Sequence, residues 1–161
     1  MLPDDKWLWL FEWFEMTGSG VVVRESVWMF PVLEAVHLLG LCLLGGVVLL
    51  VDLRILGLTL TQRSVSELAG QVRPWLAGAI VVLLVTGVLL FLSEAVKCFY
   101  NQSFWVKMIA LPTALLFTFA VRERVAAKLD VEVTFAARSI AVASMALWFT
   151  VAAAGRWIGF S

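Results

Sequence analysis

The sequence predicts an all-α integral membrane protein, a four-helix bundle preceded by an amphipathic helix lying in the membrane interface. Three observations carry that expectation. Apolar residues make up 62% of the 161-residue chain and charged residues 15%, against roughly 45–50% and 25% in soluble domains. Mean hydropathy is +0.97. The apolar residues gather into four stretches long enough to cross about 30 Å of hydrocarbon, at about 27–51, 75–96, 104–121 and 136–156. Such a composition excludes disorder, a disulfide-stapled secreted scaffold and nucleic-acid binding by a basic face. With 12 Lys plus Arg against 12 Asp plus Glu, net charge selects no partner, and four spans leave no room for a soluble catalytic domain.

The N-terminal run Trp7-Leu8-Trp9-Leu10-Phe11-Glu12-Trp13-Phe14-Glu15 is too short to span and holds two carboxylates. At 100° per residue Asp4, Asp5, Glu12 and Glu15 fall on one arc and Trp7, Leu10, Phe11, Trp13 and Phe14 on the other. This is the pattern of an interfacial helix over about 4–16. Thr17, Gly18, Ser19 and Gly20 read as a flexible link, and the acidic start argues against a cleaved secretory signal. The first span lies between Arg24 and Glu25 and the pair Asp52 and Arg54. Pro74 stands just ahead of the second, where a missing N–H costs nothing. Pro112 predicts a kink in the third, which stops at Arg122, Glu123 and Arg124. The fourth is Ala-rich, and with Gly40, Gly45, Gly46, Gly78 and Gly87 it predicts close helix approach.

Four spans put both termini on one side. The other side carries Arg54, Arg63, Arg73, Arg122, Arg124, Lys128 and Arg138, against Lys6, Arg24, Lys97, Lys107 and Arg156 with the termini. By the positive-inside bias both termini lie outside. Trp28, Trp105, Trp157 and Tyr100 then belong to an outer aromatic belt, and Trp75 to the inner one.

Polar residues within spans are costly in hydrocarbon and mark candidate sites. Glu34 and His37, three apart, share one side of the first span. Glu94, Lys107 and Arg156 fall at the same outer level, so the five define a candidate outward-facing polar pocket, with snorkelling from helix ends as the plain alternative for Glu94, Lys107 and Arg156. The expected partner of Glu34 is His37, Lys107 or Arg156. His37, followed by small residues, is also the candidate axial ligand of a b-type haem. Because the chain has one His, haem requires a Met such as Met108 or Met145, five-coordination, or a second copy. Glu34-x-x-His37 has di-iron spacing, but the second such motif is missing and no metal site is expected. Asp52 and Arg54, with Gly57, read as an ion pair that fixes helix depth on the inner side, or as a docking point. Cys42 and Cys98 lie at different depths, which excludes a disulfide. Cys98 reads as exposed and Cys42 as buried. No nucleophile, phosphate loop or zinc spacing is present, which leans away from an enzyme.

Trp28-Met29-Phe30-Pro31, Glu34, His37-Leu38-Leu39-Gly40, Gly45 and Asp52-Leu53-Arg54-Ile55-Leu56-Gly57 together resemble a family of uncharacterised bacterial four-helix inner-membrane proteins, a domain of unknown function. Pro74-Trp75, Thr86-Gly87 with Phe91, Asn101 with Phe104 and Lys107, and Gly155-Arg156 extend the likeness over nearly the whole chain. The resemblance implies a bacterial inner-membrane location and importance for His37, Asp52, Arg54 and Lys107, without an activity. A more distant likeness to four-helix b-type cytochromes departs at their paired histidines.

Three functions follow from these readings. The first is a small non-enzymatic membrane subunit or anchor that docks a partner in a larger complex. The second is a haem-binding electron-transfer protein using His37. The third is a homo-oligomeric transporter or proton or ion pathway around Glu34, His37 and Lys107.

Overall fold

The computed structural model describes residues 5–159, so Asp4 lies outside them. A 3-10 turn, Asp5–Trp7, leads into α1 (Leu8–Glu15) and α2 (Gly18–Glu25). Four long helical segments follow. They are α3 (Met29–Leu56), α4 (Val65–Ser93), α6 (Gln102–Phe117) continued by a π-helical turn (Thr118–Arg122) and α7 (Glu123–Ala126), and α8 (Phe135–Ile158). The short α5 (Ala95–Tyr100) joins α4 to α6. Each long segment is long and apolar enough to cross a membrane.

Local chemistry explains the boundaries, and several differ from expectation. Thr17 is no flexible link. Its hydroxyl donates to Phe14 O at 2.7 Å and its oxygen accepts from Gly20 N at 3.4 Å, closing α1 and capping α2 with one side chain. Gly20 is then required, because a Cβ there would sit 2.4 Å from the Leu92 carbonyl oxygen of α4. α3 runs past Val51 to Leu56 and ends on Gly57 at φ 80°, with Leu58 N donating to Leu53 O and Gly57 N to Arg54 O, a left-handed cap that suits glycine. α4 begins ten positions before Trp75, after Ser64, whose hydroxyl accepts from Glu67 N. Pro74 therefore lies inside the helix. The added turns are held by packing, since Val65, Leu68 and Ala69 are buried against Val51, Ile55, Ala126, Ala137 and Ala141.

α3 packs on α4 and α8, and α8 packs on α6. The central core is Leu44, Val47, Val48, Leu76, Ala79, Ala114, Trp148 and Val151. Gly40 and Gly87 mark close approaches, as expected, but Gly45, Gly46 and Gly78 have no neighbouring element against them.

The end nearer the termini is closed by aromatics. Phe11 of α1 meets Phe91, Phe99 and Phe104 edge to face at 5.7, 5.0 and 6.4 Å, and Phe91 stacks on Phe104 at 5.5 Å. Glu15 accepts from Val96 N at 2.7 Å and pairs with Arg24 at 2.9 Å. The expected apolar arc is thus divided: Phe11 and Phe14 pack inward, while Trp7 and Trp13 stay exposed, as does Trp9 outside that arc.

At the opposite end a buried ion pair ties α3 to the segment formed by α6 and α7. Arg122, the last residue of the π turn, donates from Nε to Asp52 Oδ1 at 2.8 Å, from Nη2 to Val48 O at 3.2 Å and from Nη1 to Glu123 at 2.6 Å. Asp52 and Arg122 are fully buried. This corrects the expected Asp52–Arg54 pair. Arg54, two residues on and so turned to another side of the helix, donates to Arg63 O at 2.8 Å, Thr61 O at 3.3 Å and Val131 O at 3.4 Å, tying the two loops at this end together.

Replacing Arg122 with Leu strands a buried carboxylate, and a loss of about 3–5 kcal/mol is expected in denaturant unfolding in micelles. The double variant Asp52→Asn, Arg122→Leu should lose less than the sum of the two single variants. Gly20→Ala should expose the α1–α2 segment to limited proteolysis and leave the Arg54 end untouched.

Candidate functional site

The polar residues expected at one level divide into those the bundle gathers and those it does not. His37 of α3 faces α4. Its Nδ1 lies 2.8 Å from Thr86 Oγ1, and its Cε1 would be 3.3 Å from a Cβ on Gly87. The Thr86 hydroxyl in turn donates to Val82 O at 2.6 Å, one helical turn back. Lys107 of α6 reaches to α8, with Nζ 3.4 Å from where a Cβ on Gly155 would stand. His37 of α3 thus meets Thr86 and Gly87 of α4, and Lys107 of α6 meets Gly155 of α8.

Glu34 does not join them. It is exposed on the outward side of α3, with no hydrogen bond or ion pair among the described residues. Neither His37, Lys107 nor Arg156 is its partner. Glu94 sits between α4 and α5, paired with Lys97 at 3.7 Å. Arg156 is exposed near the end of α8. Of the five candidate residues, His37 meets Thr86 of α4 and Lys107 lies against Gly155 of α8. Thr86 was visible as the lone hydroxyl in the apolar run Val81 to Phe91, but nothing in the sequence linked it to His37, 49 residues away.

The haem expectation meets a direct obstacle. A porphyrin on His37 needs the space beside Gly40, and that space is filled: the side chains of Val82 and Leu83 of α4 stand 3.3 Å from a Cβ on Gly40. The glycines that follow His37 admit α4, not a flat cofactor, and the residues present do not fit haem within one chain. Among the described residues, no group of three or more His, Cys, Asp or Glu is placed to hold a metal ion.

The two cysteines are free, as expected, with their environments exchanged: Cys42 is exposed and Cys98 buried. Cys98 turns into the aromatic cluster with Phe11, Phe99 and Phe104 because α5 is helical. Burial, with the Glu94 carboxylate adding to it, pushes its thiol up to about 11.

A hollow of about 360 Å³ lies between α6 and α8, lined by Gln102, Ser103, Val106, Phe149, Thr150, Ala153, Ala154 and Trp157. It is apolar with a polar rim and touches neither His37 nor Lys107.

Four membrane-length helices, closed at one end by aromatics and at the other by a buried ion pair, define a helical protein of multi-pass membrane type. The chain belongs to a family of unknown function, DUF6644, whose model matches residues 10–161. No curated protein and no solved structure matches it.

Because the folded state keeps the Cys98 thiol protonated above its ordinary value of 9.0, the fold loses stability as pH rises from about 9 to about 11. Melting curves should fall over that interval in the wild type and flatten in Cys98→Ala. Alkylation of Cys98 at pH 8 should be at least about a hundredfold slower in the folded protein than after denaturation.

Proposed function

We propose that this chain is a multi-pass protein of the bacterial inner membrane that serves as a small non-enzymatic subunit and docks a partner through the outward side of α3. The observation that carries the reading is Glu34. It lies five residues into α3, about 8 Å along the helix, exposed among Val32, Val36, Leu38 and Leu39. A carboxylate on a lipid-facing surface is costly unless it is paired or wet. A partner helix bearing a cation or hydrogen-bond donor at that depth would pair it. The fit of the fold to this reading is otherwise plain: both ends of the bundle are closed by contacts within the chain, and α3 alone among the four long segments carries an unpaired acid within its apolar run.

In this reading both termini lie outside. The loops gathered by Arg54 face the cytoplasm, consistent with the basic residues near them. Trp7, Trp9, Trp13, Trp28 and Trp157, exposed near the opposite end, then stand at headgroup level, and α1 rests on the aromatic cluster with its tryptophans turned to the interface.

Extracted from its native membrane in gentle detergent, the wild-type chain should run as part of a larger assembly. Glu34→Ala should release it and Glu34→Gln should weaken it, with helicity unchanged. A wild-type chain that emerges from native membranes as a stable monomer would overturn the reading.

A further inference from the structure

The end of the bundle that carries α1 and α2 holds a smaller hollow of about 200 Å³, lined by Glu12, Glu15, Met16, Arg24 and Val96. Arg24 lies in α2, which leads into α3 at Met29, and Val96 lies in α5, which follows the end of α4 at Ser93. The hollow therefore stands where two membrane-length helices end, on the side where Trp9, Trp13 and Trp28 are exposed. Exposed tryptophans at the ends of apolar helices mark headgroup level.

Three charged side chains face this hollow, and they are not equally engaged. Glu15 uses both carboxylate oxygens: Oε1 accepts from Arg24 Nη1 at 2.9 Å and Oε2 from Val96 N at 2.7 Å. Arg24 meets Glu15 through Nη1 alone. Its Nε and Nη2 make no hydrogen bond among the described residues, and its side chain is 41% exposed. Glu12, one turn before Glu15 on the same side of α1, is exposed, and its carboxylate has no hydrogen bond or ion pair among the described residues. One hollow thus presents a spare cationic donor and a spare anionic acceptor, with apolar surface from Met16 and Val96 beside them.

We propose that this hollow binds the headgroup of a zwitterionic phospholipid that carries a primary ammonium, phosphatidylethanolamine, with the ammonium on Glu12 and the phosphate on Arg24. Charge complementarity selects this occupant. A guanidinium presents its N–H groups in a fork that suits phosphate oxygens. A carboxylate accepts the N–H groups of a primary ammonium, whereas a trimethylammonium has none to give. The two methylenes between ammonium and phosphate lie against Met16 and Val96. The hollow has the room of roughly seven waters, at about 30 Å³ each, which suits a headgroup and is too little for a helix. No covalent bond changes. The site rests on the multi-pass membrane reading, but neither on which side the termini face nor on a partner at α3.

The test uses the full chain. Carbonate-resistant membrane association, scored before extraction, checks the membrane reading by itself. The chain is then extracted in gentle detergent and exchanged into equal amounts of phosphatidylethanolamine, phosphatidylcholine and phosphatidylglycerol with matched acyl chains, and retained lipid is counted by native mass spectrometry. The wild type should retain phosphatidylethanolamine over each of the others by about fivefold, the upper range for one partly exposed ion pair. Glu12→Gln, at an exposed position, should bring phosphatidylethanolamine down to the level of phosphatidylcholine with helicity unchanged. Glu12→Lys should turn the preference to the anionic phosphatidylglycerol, and Arg24→Gln should lower retention of all three lipids. Should Arg24→Gln loosen the α1–α2 segment in limited proteolysis, the two Glu12 variants carry the test. Equal retention of the three lipids by the wild type, no retained lipid, or a phosphatidylethanolamine preference that survives Glu12→Gln overturns the proposal.

Discussion

The buried pair of Asp52 and Arg122 is the constraint on which the lower half of the bundle depends. Each charge alone would be prohibitive in so dry a place, so neither α3 nor the α6 segment can take another rotation or register without stranding one of them. The π turn at Thr118–Arg122 is the local means of meeting that demand. An extra residue per turn shifts the side-chain register just where Arg122 must enter the core, and Trp148 Nε1 donates to Thr118 Oγ1 at 3.0 Å beside it. Val48 O accepts a third arginine hydrogen bond, so the guanidinium has a ligand on every nitrogen. The buried Ser144 hydroxyl of α8 faces the same carboxylate, although neither Asp52 Oδ2 nor Ser144 Oγ makes a close hydrogen bond among the described residues.

Arg54 acts beside this pair in a different way. Its charge meets backbone carbonyls, not a carboxylate, and by gathering Thr61, Arg63 and Val131 it gives two connecting loops a common point. The bonds of Val65 N to Asp130 O and Ser66 N to Leu129 O complete the same junction. The opposite end is closed without buried charge. Phe11, Phe91, Phe99 and Phe104 supply large apolar area with edge-to-face geometry. Glu15 there spends its carboxylate on the free N–H of Val96 at the start of α5, where a negative group is favoured.

Between these closed ends lies the place where polar groups are left with unused capacity. Thr86 is satisfied by its own helix and so forces the histidine to be the donor. The consequence is a fixed tautomer, a feature that normally requires a carboxylate or a carbonyl as the second partner. Gly87 and Gly155 are small for specific reasons, one admitting the imidazole and the other the ammonium.

Hydropathy and helical periodicity were enough to read the four apolar helices and the aromatic N-terminal helix, because each of these depends on residues close together in the chain. Pairing was not legible. Asp52 stands two residues from Arg54 and 70 from Arg122, and proximity in sequence favoured the wrong arginine. The same limit applies to Glu34 and His37, which share a helix side broadly enough to suggest one pocket, although the helix turns one outward and the other toward α4. Polar Gln71 and Arg73 and the ring of Pro74 hid the first turns of α4, whose helical state is secured by Val65, Leu68 and Ala69 packing against α3 and α7. Composition by itself determined that the chain forms apolar helices. Tertiary structure decided which charges are satisfied and which remain available, because a buried charge chooses its partner by helix rotation and depth, and these are set only when all the helices pack together.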